Sequence, residues 1–138
     1  MRLVGSLCGG LGLIAALAAL GATAQEEQQL PRGEALYRQY CGACHGIAAD
    51  GKGPIAVILD PKPADLRAIA ARRKGVFPDA EIVRIIDGRD PIVAHGTREM
   101  PVWGERFRDE AGLGPTTEAR TRGRISLIVQ YLKTIQSR

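Results

Sequence analysis

Aromatic side chains are scarce in this 138-residue chain, which has one Trp, three Tyr and two Phe. Aromatic rings dominate the apolar volume of small cores, so a domain this poor in them needs something else at its centre. Strand-like alternation of useful length is missing, which excludes a sandwich or barrel and leaves an all-α class. Cysteine is scarce as well. Of three cysteines, Cys8 lies in an apolar N-terminal run, and Cys41 and Cys44 have no second pair with which to build a zinc site or a disulfide framework. The formal charge of +4 is mild. It suits solubility or an acidic protein partner and is too weak to argue for nucleic-acid binding.

The N-terminus has the layout of a secretory signal. Met1-Arg2 supplies the charge, Leu3 to Leu20 the apolar run, and Ala22-Thr23-Ala24 small residues for cleavage before Gln25. Residues 1–24 are therefore read as a signal peptide and 25–138 as one domain, placed in the periplasm. The alternative is a retained anchor, because the run approaches the roughly 18 to 20 apolar residues that a spanning helix needs. Several glycines and the cleavage site favour removal, and Leu7 before Cys8 makes acylation there a poor fit.

The densest chemistry lies in Cys41-Gly42-Ala43-Cys44-His45. Two thiols and an imidazole in this order are what covalent attachment of a c-type haem requires. The sulfurs can add to the two vinyl groups of the porphyrin, His45 can reach the iron, and Gly42 and Ala43 are too small to obstruct the ring. A bare C-x-x-C can also be a redox dithiol or half a zinc site. No strand leads into this one, and a helical pattern runs into it instead. A flat, apolar porphyrin would make good the shortage of aromatics, so the chain without it should fold poorly.

Around the motif the sequence predicts a helix from Pro31 to about Cys41, with Gly33 and Tyr37 on one face, then a loop over 46–62 broken by glycines and prolines. A short helix follows from Ala64 to about Arg73, ending in a solvated Arg72-Arg73-Lys74 cluster suited to the helix dipole. Pro78-Asp79 opens a third helix with Ile82, Val83, Ile85 and Ile86 on its apolar side, and Gly88 stops it. Residues 89–104 read as a loop holding His95, Met100 and Trp103, and 105–115 as irregular chain. Arg89 and Arg98 are assigned to solvent, with a haem propionate as the alternative, and Trp103 to packing. Thr116 or Thr117 caps a final helix to about Gln136, whose Leu127, Ile128, Tyr131, Leu132 and Ile135 share a face that crosses the first helix near Gly33.

Gly33-Glu-Ala-Leu-Tyr37, the Cys41-to-His45 motif, Gly51-Lys-Gly-Pro54, Pro63-Ala-Asp-Leu66, Met100-Pro-Val-Trp-Gly104 and the closing apolar helix follow one another in an order that resembles the class I cytochrome c family. The resemblance covers nearly all of the chain after residue 30. It implies a small all-α fold with crossing terminal helices around one covalent haem c. It also implies His45 as the proximal iron ligand, Met100 as the distal one, and Pro54 as the carbonyl accepting from His45 Nδ1, although Pro54 also reads as a plain loop breaker. His95 competes with Met100, since it lies five residues earlier and imidazole binds iron well. A His/Met-ligated iron leaves no open position for a substrate, so the implied function is one-electron transfer between redox protein partners by a monomer, not catalysis. The alternative is a fixed subunit of a periplasmic oxidoreductase complex, or a peroxidase-like haem enzyme.

Overall fold

The structure, a computed structural model, describes residues 29–89 and 100–137. The expected signal peptide, His95 and Arg98 lie outside these residues. Among the described residues there is no strand, and no helix is long and apolar enough to cross a membrane.

Residues 29–40 form α1. The chain turns at Cys41 and resumes as the single turn α2, Gly42–His45. A glycine-rich loop comes next, interrupted by a 3-10 turn at Ala56–Ile58. A second 3-10 turn, Leu66–Ala68, runs into α3, Ile69–Arg72, and together they fill the span expected to be a short helix. The basic cluster at its end is partly paired: Arg73 donates to both Glu81 carboxylate oxygens, and Arg72 Nη2 donates to Asp65 O at 3.0 Å.

α4 is Asp79–Asp87, with Asp79 and Glu81 in its first turn, where they meet the positive end of the helix dipole. α5 is Trp103–Ala111 and α6 is Thr117–Thr134. α5 corrects the expectation of irregular chain over 105–115. Its glycine and proline breaks, Gly112, Gly114 and Pro115, all lie beyond its end. Its buried face rests on Gly104 and Phe107 alone, while Glu105, Arg106, Arg108, Asp109 and Glu110 fill the rest, so the helical period is faint in the sequence.

α4, α5 and α6 pack against one another, and Phe107, Thr121, Ile125 and Ile128 are fully buried among them. Thr121 is satisfied internally, its Oγ1 donating to Thr117 O at 3.0 Å. α1 crosses α6 at Gly33 as the sequence predicts. A Cβ there would stand 2.3 Å from Leu127 O and 3.0 Å from Tyr131 Cβ, so only glycine admits this approach. One turn along, the rings of Tyr37 and Tyr131 meet with centroids 5.3 Å apart.

Candidate haem-attachment site

α1 delivers the motif, and Tyr37 anchors the loop on its far side. The buried Tyr37 hydroxyl donates to Gly46 O at 2.6 Å. Gly46, at φ 81, starts a reversal that lays the next residues along the motif's own backbone. Gly51 N donates to His45 O at 2.8 Å, Gly53 N to Cys44 O at 3.1 Å and Ile55 N to Ala43 O at 3.2 Å. These bonds use carbonyls that a one-turn helix leaves without partners. The approach is close enough that a Cβ on Gly53 would lie 2.2 Å from Ala43 O.

The same reversal brings residues 63–65 against the histidine. A Cβ on Gly51 would lie 2.5 Å from Pro63 O, and Leu66 N donates to Ala49 O at 2.8 Å. His45 Nδ1 thereby sits 3.0 Å from Ala64 O. A carbonyl can only accept, so Nδ1 carries the proton and Nε2 keeps its lone pair for a metal. This corrects the role expected of Pro54. Pro54 is exposed, because the amides of Gly53 and Ile55 on either side of it are turned to the motif backbone, and the ring's partner is Ala64.

Both thiols are free and half-buried. Burial first, and the neighbouring Cys44 second, push the Cys41 thiol up to about 12. A redox dithiol needs the opposite, a lowered pKa and a ready thiolate. Among the described residues no group of three or more His, Cys, Asp or Glu is placed to hold a bare metal ion, so the zinc reading finds no ligand set. A porphyrin fits better what is present: two unpaired thiols, an imidazole with Nε2 free, and an adjoining loop whose Ile55, Val57 and Ile58 are exposed, the last two at 77% and 81%.

Met100 is half-buried and packs against the same core as Cys41. The chain that follows it is anchored by Trp103, three residues on. The Trp103 ring meets Tyr40, the neighbour of Cys41, edge-on at 5.5 Å and stacks on Phe107 at 5.7 Å, so the segment from Met100 to α5 is tied to the end of α1. Trp103 is thus a packing residue. The Arg106 guanidinium lies over Tyr40 and Trp103 at 5.9 and 5.6 Å, and Tyr40 OH donates to Glu110 at 2.6 Å.

Arg89 departs from expectation. Instead of facing solvent it grips Asp87 and Glu118, which holds the Asp87 carboxyl below its usual range and raises the guanidinium pKa further. Asp87-Gly88-Arg89, two opposite charges astride a helix-ending glycine, was the available signal.

Crossing terminal helices, with the thiol and imidazole motif at the end of the first, make this a class I-like c-type cytochrome domain. Residues 28–111 match the family described as cytochrome c oxidase, cbb3-type, subunit III, and the chain belongs to that family. Haem c is the cofactor such a domain implies, and haem-based electron transfer its chemistry. No curated protein and no solved structure matches the chain.

Proposed function

We propose that this protein is an exported mono-haem cytochrome that passes single electrons between redox protein partners, its haem joined to Cys41 and Cys44 and its iron held by His45 and Met100. The observation that carries the reading is the His45 ring fixed through Nδ1 on Ala64 O beside two free thiols. When bound, haem c supplies a one-electron couple between ferrous and ferric iron. The two sulfurs anchor the group against loss, and Ala64 fixes the imidazole's orientation and raises its basicity. The Met100 thioether, a soft donor, would favour the ferrous state and raise the potential above that of a bis-imidazole site. With His45 and Met100 both serving as iron ligands, no position would remain for a substrate, which supports transfer over turnover.

A haem-stained denaturing gel of periplasmic material tests this: a stained band that acid acetone cannot strip is expected, and strippable haem contradicts it. The ferrous protein should reduce a metal-complex acceptor quickly and turn over little peroxide.

The second reading is a fixed subunit of an oxidoreductase complex, favoured by the family's description as an oxidase subunit. Recovery of a stable complex during purification from native membranes or periplasm selects it. Carbon monoxide or cyanide binding to the native protein would select instead a haem enzyme whose methionine is displaced.

A further inference from the structure

One ionic cluster ties the end of α4 to the start of α6, and the first turn of α5 rests on it, so it touches both ends of the stretch that runs from α4 to Met100 and α5. α4 ends at Asp87, and Gly88, left-handed at φ 67, turns the chain so that Arg89 folds back on the carboxylate it has just passed. Arg89 Nε donates to Asp87 Oδ1 at 2.6 Å and Nη2 to Oδ2 at 2.7 Å. The far edge of the guanidinium reaches α6, with Nη1 donating to Glu118 Oε2 at 2.9 Å and Nη2 to Oε1 at 2.8 Å. Arg122, one turn along α6, lies 3.8 Å from the same carboxylate. Gly104, in the first turn of α5, rests directly on this cluster. A Cβ there would stand 2.3 Å from Asp87 Oδ1 and 2.7 Å from both Arg89 Nε and Asp87 O. The missing side chain at 104 is what lets α5 begin against the end of α4.

We infer that Arg89 is a positioning residue that, with Asp87 and Glu118, ties the two ends of the Met100 segment together and so keeps the methionine sulfur on the iron. The inference rests on the reading of Met100 as axial ligand. Its physical basis is effective concentration: a ligand on a chain whose ends are fixed competes better against free ligands than one on a slack chain. Arg89 suits the task because its planar fork binds two carboxylates bidentately. The pair is also partly shielded, with the Arg89 and Asp87 side chains 25% and 20% exposed, so solvent screens it less than the outer ion pairs of this surface.

The test is an upward pH titration of the ferric holoprotein, monitored by the weak far-red band of thioether-ligated haem, which vanishes as hydroxide or a deprotonated amine displaces the sulfur. Arg89→Gln should lower the midpoint by about one pH unit, a tenfold loss in the methionine's competitiveness, and Arg89→Lys should recover part of it. Arg73→Gln, which breaks a pair with Glu81 away from this segment, should leave the midpoint in place even if it lowers the melting temperature. Should Arg89→Gln fail to load haem, Glu118→Gln carries the test, with a smaller shift in the same direction. A wild-type band whose midpoint is unmoved by Arg89→Gln, or by Glu118→Gln where that variant stands in, overturns the inference alone. A wild-type protein with no such band overturns the ligand reading and the inference with it.

Discussion

On the histidine side of the candidate site, main-chain hydrogen bonds from Gly51, Gly53 and Ile55 hold the loop to the motif, one from Leu66 to Ala49 holds the next segment to the loop, and a backbone carbonyl holds the ring. On the methionine side the corresponding work falls to side chains: Arg89 with its two carboxylates, and Trp103 against Tyr40 and Phe107. Backbone bonds of this kind tolerate changes of side chain but not of backbone clearance, whereas ion pairs and rings are lost one substitution at a time. The histidine side should therefore be brittle at its glycines and at the Tyr37 hydroxyl that anchors Gly46, and the methionine side tunable by charge, pH and salt.

Gly53→Ala attacks the histidine side where it cannot yield, because the new Cβ meets the Ala43 and Cys44 backbone. It should cost about 3 kcal/mol and lower haem occupancy, as read by thermal melting and by absorbance of haem per protein. Tyr37→Phe removes the buried hydroxyl donor to Gly46 O and leaves that carbonyl with the Ala49 amide as its one donor. Thermal melting should show a loss of about 1.5 kcal/mol, the net worth of one buried hydrogen bond. An effect below a few tenths would mean that the reversal at Gly46 is held by its amides alone.

Asp87→Asn weakens the methionine side and should cost about 1 kcal/mol at neutral pH. Its pH dependence has a definite sign. Arg89 lowers the folded-state pKa of Asp87, so the stabilisation is fully present above the ordinary aspartate value of about 3.9 and fades as pH falls from there through the folded value. Acid melting curves of wild type and Asp87→Asn should converge in that window; curves that stay parallel would contradict it. The smallest effect is that of salt. At about 1 M ionic strength, where screening reaches in to about 3 Å, amide exchange should quicken at the first turns of α5 and α6 but not at Gly51, Gly53 and Ile55.

The parts of this fold that the sequence made legible are those specified locally. α1 and the motif it carries, α4 with its stop at Gly88, and α6 with its apolar face each carry their own period and punctuation, and Gly33 marked the crossing. α5 was hidden because Trp103 and Phe107 are nearly its whole apolar face among charged neighbours. Ala64 was hidden because its place beside His45, 19 residues away, depends on how tightly Gly51 lets residues 63–65 approach, which no motif encodes. Arg89 reads from sequence as solvent-facing because its partner Glu118 lies 29 residues on, at the start of another helix.

The central claim, a haem iron held between His45 and Met100, is tested most directly by the far-red absorption of the ferric protein in wild type, Met100→Ala and His95→Ala. The account predicts the thioether band in wild type and in His95→Ala, and its loss in Met100→Ala together with a lowered potential. A band that survives Met100→Ala, or an iron that opens in His95→Ala while Met100→Ala leaves it closed, would contradict it.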